Sequence, residues 1–368
     1  MITMDTKELS EPSFAEISPT VIVGAGLIGA SIGCALMSRG VKVHLRDSST
    51  ANAQIAAARG AGVLERPVQD EVRLVVVATP PQDVSEVVRI SLKEFPNAVV
   101  TDVASIKKQI EKELDGSTDQ ERYIGSHPMA GSAHTGPLTA TSDLFEDRTW
   151  VVTASYDNPD WVVRRAFMLG TAAGARTVTR SATEHDRAVA EISHVPQIMS
   201  SLTAARLTDV PSEDLQLAGQ GVRDVTRIAG SDPELWSQII AANTEEIRNQ
   251  LIKVQKDLSR LIENLDDPRI VTDLLSRGRQ GRKALPARAG KSPDQLVTVT
   301  AEIPDKPGAM ANMFRVAEEV GVNIEDISME HDVHRNFGFL RIQVAIEQAD
   351  ILRSALRQHW EEGRLSYE

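Results

Sequence analysis

The sequence predicts an α/β chain whose N-terminal part is a doubly wound, mostly parallel sheet, and three observations predict it. From Thr20 to about Ser155, short β-branched runs alternate with helical patterns: TVIVG, VKVHLRD, RLVVVATP, NAVVTDV, RYIGSH and TWVVTAS. That alternation is expected of strands joined by crossover helices. A glycine-rich turn, GAGLIG, falls where the first strand meets the first helix, and an acidic residue, Asp47, closes the second strand.

The remaining elements follow in order. At 368 residues the chain exceeds the size at which a single core stops growing, so two or three domains are expected. The sheet domain is assigned to residues 18–156. From Asn158 to Arg277 the strand signal disappears. Amphipathic stretches such as DRAVAEISHV and PELWSQIIAANTEEIRNQLIKVQKDLSRLIENL predict an all-helical domain over 157–277. Residues 278–294, rich in Gly, Pro and Arg, read as a linker. In 295–368, QLVTVTAEIP, AMANMFRVAEEVG, NIEDISME, GFLRIQVAI and ADILRSALRQHW give a small β-α-β-β-α unit, of α+β, ferredoxin-like type, that a last strand at RLSYE would close.

Composition narrows the partners. A formal charge of -12 repels phosphate backbones and anionic membranes, which argues against nucleic acid or membrane as partner. Small molecules and protein subunits are expected instead. The lone Cys34 excludes an intrachain disulfide, and no run of about eighteen apolar residues offers a membrane span. The opening MITMDTKELSEPSFAEIS lacks the basic start and apolar centre of a signal peptide, so a cytoplasmic location is expected.

The glycine turn has a mechanism. Gly24 permits the sharp turn, Gly26 lets backbone approach a pyrophosphate, and Gly29 allows the helix to pack close to the strand. Leu27 and Ile28 open the helix, whose first-turn N–H groups attract an anion. With Asp47 placed to bind ribose hydroxyls, this is a Rossmann dinucleotide site, and a carboxylate there favours NAD over NADP. Arg46, Ser48, Ser49 and Thr50 are ingredients of a phosphate-tolerant site and temper that preference. Thr79 and Pro80, after the third strand, fall where such folds close over the cofactor. Cys34 reads as packing.

Further polar motifs supply a reaction. TDVASIKK, GSHPMAGS, EHDRAVAEISHVPQ and GQGVRDVTRIAGSDPELW follow GAGLIG in that order. Over residues 20 to 265 the series resembles the prephenate and arogenate dehydrogenase family. The resemblance implies an oxidative decarboxylation, in which a ring carbinol loses a hydride to the nicotinamide and a ring carboxylate leaves as carbon dioxide, giving a phenol. It implies His127 as the catalytic base and Ser105 as a serine orienting that histidine and the substrate hydroxyl. Arg227 matches the carboxylate-binding arginine and His194 a histidine lining the pocket, and Arg223, one helical turn before Arg227, would share the anion or grip the substrate side chain. Asp224 would orient an arginine, and Trp236 matches a tryptophan near the site, with packing the stronger reading for it. Two positions depart from the family pattern: Gln197 stands where many members have a second histidine, and Ala133 where some carry an acid. Prephenate is the expected substrate, with arogenate as the alternative. A catalytically silent NAD-dependent sensor is the rival from another class, and the presence of His127 argues against it. His134, His185, His331 and His334 show no metal-site spacing, so no metal is expected.

The turn DKPGAMANM between a strand and a helix looks like an ACT domain, an amino-acid-sensing fold. The likeness implies Gly308 and Asn323 as contacts for a regulatory ligand, with tyrosine as effector; a purely structural or dimerising appendage is the alternative. A homodimer through the helical domain is expected from its apolar faces.

Overall fold

The computed structural model describes residues 14–131, 136–285, 295–304, 306–331, 337–359 and 365–367. Ala133 and His134, most of the 278–294 segment, Asp305, His334 and part of RLSYE lie outside them.

Seven strands form the first sheet: β1 (Thr20–Val23), β2 (Val43–Arg46), β3 (Leu74–Val77), β4 (Val99–Asp102), β5 (Tyr123–Pro128), β6 (Thr149–Thr153) and β7 (Arg176–Thr179). Their order is β2-β1-β3-β4-β5-β6-β7. β1 to β5 pair in parallel, β6 is antiparallel to β5, and β7 is parallel to β6. The central β3, LVVV, is buried at every residue, as a parallel strand covered on both faces should be.

Helices α1 (Leu27–Ser38), α2 (Thr50–Ala58), α3 (Val84–Glu94), α4 (Lys108–Leu114) and α5 (Asp160–Ala172) connect these strands. Alternate strand residues feed two cores. Ile22 and Val76 pack with Ile32 of α1 and Leu169 of α5, whereas Val21 and Val75 pack with Val88 of α3 and Ile110 of α4.

The expectation that strands end before Asn158 is corrected by β7. Its sequence, RTVT, contains one aliphatic residue, and it lies at the sheet edge with its outer residues exposed, so no apolar run announces it. The sheet and α5 therefore continue to Thr179.

Beyond β7 the chain is helical. α6 (Ala182–Val189) passes through a π-turn (Ala190–His194) into α7 (Val195–Arg206), then α8 (Ser212–Leu215), α9 (Gln220–Thr226), a 3-10 turn (Arg227–Gly230), α10 (Pro233–Ala242) and α11 (Thr244–Glu263). Pro196, in the first turn of α7, lacks the N–H that a continuous helix would use, which accounts for the irregular junction. Ala190, Val195 and Ile247 form a small core with Met199 and Leu251.

The chain divides into two compact units, 1–255 and 256–368, within α11. The second unit contains the rest of α11 and α12 (Pro268–Ala284), which are joined by Arg277 to Asp257 at 3.1 Å. Residues 278–284, read as linker, are the last two turns of α12; Arg, Gln and Lys are good helix formers and outweigh the two glycines. The unit continues with β8 (Leu296–Pro304), α13 (Ala309–Glu319), β9 (Asp326–His331), β10 (Phe337–Ala345), α14 (Ile346–His359) and β11 (Leu365–Tyr367). Its antiparallel sheet has the order β11-β8-β10-β9, and Val299, Ile303, Leu340 and Ile342 pack on Met313 and Leu352 of its helices. Among the described residues no helix is long and apolar enough to cross a membrane.

Candidate active site

The glycine turn has the geometry its sequence predicts. Gly24 adopts φ +100°, and a Cβ there would lie 2.4 Å from the carbonyl oxygen of Ala78. At Gly29 a Cβ would lie 1.9 Å from the Gly24 oxygen, so only glycine lets α1 sit this close to β1. Gly26 differs: a Cβ there would meet nothing within 4 Å, which leaves open space above the backbone at the start of α1. Leu27 and Ile28 form the first turn beneath that space. Asp47 accepts from Ala25 N and Ser49 N, both at 2.7 Å, so its carboxylate is fixed against the turn. Thr79 Oγ1 is buried with no hydrogen-bond partner among the described residues, beside the exposed Pro80, and a polar group from a bound molecule would satisfy it. An open cradle, free helix N–H groups, a fixed carboxylate and an orphaned hydroxyl fit a dinucleotide. Arg46 is not available to a phosphate: its guanidinium bonds Glu94 at 2.8 Å and lies 4.9 Å from the centre of the Phe95 ring. Arg46 holds the Glu94 carboxyl below the usual range.

The second feature lies at the carboxyl end of β5. His127 is half-buried there, and its Nδ1 is 2.9 Å from His185 Nε2. His185 Nδ1 is in turn 2.7 Å from Asp186 Oδ1. A capping box between Ser181 and Glu184 starts α6 and sets these two residues in its first turns. Asp186 also accepts from Lys107 N at 2.9 Å and Lys108 N at 2.8 Å, capping α4. Beneath His127, the fully buried Lys107 ammonium bonds Asp102 and the Ser126 carbonyl, the latter at 2.7 Å. Asp102 also accepts from Tyr123 Oη at 2.8 Å and Ala104 N at 2.8 Å. Burial first, then nearby His185 and Lys107, hold His127 well below the usual imidazole range.

Ser105 occupies the turn between β4 and α4, half-buried and without a hydrogen bond among the described residues, and it is His185 that meets His127 Nδ1. His194 is buried and accepts on Nδ1 from Asn243 Nδ2 at 3.2 Å; the same amide donates to Asp186 O at 2.8 Å. Trp236 stacks edge-on against His194 with ring centres 6.0 Å apart. Burial pushes His194 down to about 4, so it is neutral at ordinary pH.

Gln197, the departure from the family pattern, donates to Ile228 O at 2.9 Å, and Ser200 donates to Val225 O at 2.7 Å. α7 thereby fixes the turn that carries Arg227. Arg223 and Arg227 are exposed and unpaired among the described residues. Asp224 accepts from Gln220 at 2.8 Å and pairs with no arginine among the described residues. In the second unit, Gly308 caps α13 at φ +88° with open space where a Cβ would be, and the exposed Asn323 bonds Glu325 at 2.9 Å.

Motif reading missed His185, Asp186, Asp102 and Lys107 as parts of the site. All four lay inside quoted motifs, TDVASIKK and EHDRAVAEISHVPQ. The available signal was a buried-type strand ending in an acid five residues before a lysine. Among the described residues no group of three or more His, Cys, Asp or Glu side chains is placed to hold a metal.

Fold and site together define a dinucleotide-binding α/β enzyme with an imidazole pair at the carboxyl edge of its sheet. The family model described as prephenate dehydrogenase, nucleotide-binding domain, matches residues 32–179, ending on the last residue of β7, and that of the prephenate dehydrogenase dimerization domain matches 181–275. A probable prephenate dehydrogenase of Streptomyces niveus is 33% identical over 353 residues, covering 92% of this chain and 97% of that protein. The chain belongs to the prephenate dehydrogenase family. Among solved structures, the arogenate dehydrogenase of Synechocystis is 25% identical with a TM-score of 0.62, over 72% of this chain and 99% of that one. The prephenate dehydrogenase of A. aeolicus, in complex with hydroxyphenyl propionate and NAD+, shares the fold at 24% identity and a TM-score of 0.65, over 75% and 99%.

Proposed function

We propose that this enzyme oxidises and decarboxylates prephenate to 4-hydroxyphenylpyruvate with reduction of NAD, a step of tyrosine biosynthesis. The observation that carries the reading is His127, a neutral imidazole at the strand ends in a chain of this family. NAD, held by Gly24, Gly26, Gly29, the first turn of α1, Asp47 and Thr79, supplies the hydride acceptor. His127 takes the proton of the substrate hydroxyl as hydride leaves the carbinol carbon, giving a ring ketone. Loss of the ring carboxylate as carbon dioxide then sends its bonding electrons through the ring to that oxygen. The proton on His127 returns there, so the phenol forms with no net proton released. Arg227, aided by Arg223, binds a substrate carboxylate; Ser105 and His194 line the pocket. Initial rates with prephenate and arogenate, each with NAD and NADP, test the reading: prephenate with NAD is expected to be the best pair, and no turnover of either substrate would refute it. Arogenate is the second reading, favoured by the similarity to the Synechocystis enzyme.

The chain is expected to act as a homodimer through residues 181–275, where Ile192, Leu202, Leu217 and Val225 are exposed. NAD is expected to exceed NADP in kcat/KM by at least about tenfold. Asp47 repels a 2'-phosphate, and Arg46, the nearby cation, is held by Glu94. Equal efficiencies would refute this.

The unit at 295–368 is an ACT-like regulatory module that binds tyrosine at Gly308 and Asn323. The support is the positive-φ Gly308 at the start of α13, with open space where a Cβ would stand beside a helix N-terminus that no side chain caps. Tyrosine must bind one state of the enzyme better than another, and a coupling of about 1–3 kcal/mol gives roughly 5- to 150-fold in substrate affinity. Enzyme ending near Lys291 should remain active and lose tyrosine inhibition; unchanged inhibition would place tyrosine in the catalytic pocket instead.

A further inference from the structure

We propose that His185, backed by Asp186, is a positioning residue that fixes His127 in the one tautomer able to act as a base. The inference rests on the assignment of His127 as the proton acceptor.

The hydrogen-bond chain determines where each proton sits. Asp186 presents carboxylate oxygens that only accept, and they already receive the backbone N–H groups of Lys107 and Lys108. The His185 nitrogen facing it, Nδ1 at 2.7 Å, therefore carries a proton. In a neutral imidazole the other nitrogen is then bare, so His185 Nε2 is an acceptor. His127 Nδ1, 2.9 Å away, must donate to it. This leaves the lone pair of His127 on Nε2, and nothing among the described residues bonds that atom. The tautomer follows from the network and not from choice of ring orientation.

The alternative occupancy shows why the arrangement matters. If the pair gained a proton and His185 donated from Nε2, His127 would have to accept on Nδ1, and its own proton would move to Nε2. That form offers the substrate hydroxyl no base. The groups around the pair are Asp102 at the end of β4, Lys107 at the N-cap of α4, Glu111 on α4, Asp186 beside His185, and His194 beyond α6. Burial and the Lys107 cation keep His127 itself uncharged before the substrate proton arrives. During turnover, when His127 briefly holds the substrate proton, its Nδ1–H bond to His185, backed by the Asp186 carboxylate, keeps the ring oriented with Nε2 toward the substrate oxygen. His185 and Asp186 are each 1% exposed, so water does not compete for these bonds.

Two substitutions separate this role from a merely structural one. His185→Asn places its amide where Nδ1 stood and keeps the Asp186 bond, but is too short to reach His127. His185→Gln can bridge both, accepting from His127 with Oε1 and donating to Asp186 with Nε2. The full-length enzyme is assayed for kcat and for the KM of prephenate and NAD, and NAD binding is followed separately by fluorescence titration. His185→Asn is expected to lower kcat by about 10²- to 10³-fold, comparable to loss of a general base. KM values and NAD binding should stay within about threefold, and His185→Gln should recover at least about tenfold in kcat, or roughly 1.4 kcal/mol in barrier. The proposal is overturned if His185→Asn keeps more than a third of wild-type kcat, or if His185→Gln is no better than His185→Asn. Should His185→Asn fail to fold, His185→Leu replaces it in the same comparison. An inactive wild-type enzyme would count against the proposed function itself, before the relay is tested.

Discussion

His127→Asn is expected to lower turnover by roughly two to four orders of magnitude while the protein still folds and binds NAD. The reason is local. His127 is the last imidazole of a hydrogen-bonded chain, and its Nε2 is the atom left bare for the substrate hydroxyl. Asn is shorter, keeps a polar group near His185 and removes the only titratable acceptor at that position. The fold should tolerate it, because β5 is held by its pairing with β6 at Val151 and by the Lys107 bond to the Ser126 carbonyl. The pH dependence has a definite sign. A base works in its unprotonated form, and burial holds His127 well below the usual imidazole value of about 6.5. The wild-type enzyme should therefore keep its kcat/KM as pH falls through 6.5, and lose it only on the more acidic side. Turnover of His127→Asn near the wild-type value, or an acid limb centred above 6.5, would contradict the assignment.

How far the sequence disclosed this site depends on the kind of signal. The glycine turn was fully legible, because steric demands at Gly24 and Gly29 are backbone demands that leave a mark in residue type. The six strands from TVIVG to TWVVTAS were legible as β-branched runs, whereas β7 was not, since an edge strand of Arg and Thr carries no apolar pattern. His127 and Arg227 were singled out through motif order. That His185 meets His127 Nδ1 was not legible, because which group reaches an imidazole depends on how α6 docks on the turn before α4, a contact between residues 79 apart for Lys107 and Asp186. Sequence spacing holds no record of such a contact. Arg46 illustrates the same limit: adjacency to Asp47 placed it near the cofactor, but only the fold brings Glu94 and Phe95 to it.

Arg227→Ala should act on binding where His127→Asn acts on turnover. Prephenate carries two carboxylates, and a guanidinium is the side chain best suited to hold one through paired N–H bonds. Arg227 is exposed and unpaired among the described residues, so no internal bond is lost when it is truncated. Its backbone turn is also secured independently of the side chain, by Gln197 on Ile228 O and Ser200 on Val225 O. A hydrogen-bonded contact to a charged group contributes about 1.5–3 kcal/mol, which corresponds to an increase of roughly 10- to 150-fold in the KM for prephenate. The kcat should fall less, and the thermal midpoint should not move. Arg227→Lys restores the charge without the planar fork and should fall between the two. Because Arg223 lies one helical turn away, Arg223→Ala provides the internal comparison, with a smaller expected effect. If Arg227→Ala left the KM for prephenate within threefold of wild type while Arg223→Ala raised it, the carboxylate grip would belong to Arg223 and the motif assignment would have to be exchanged.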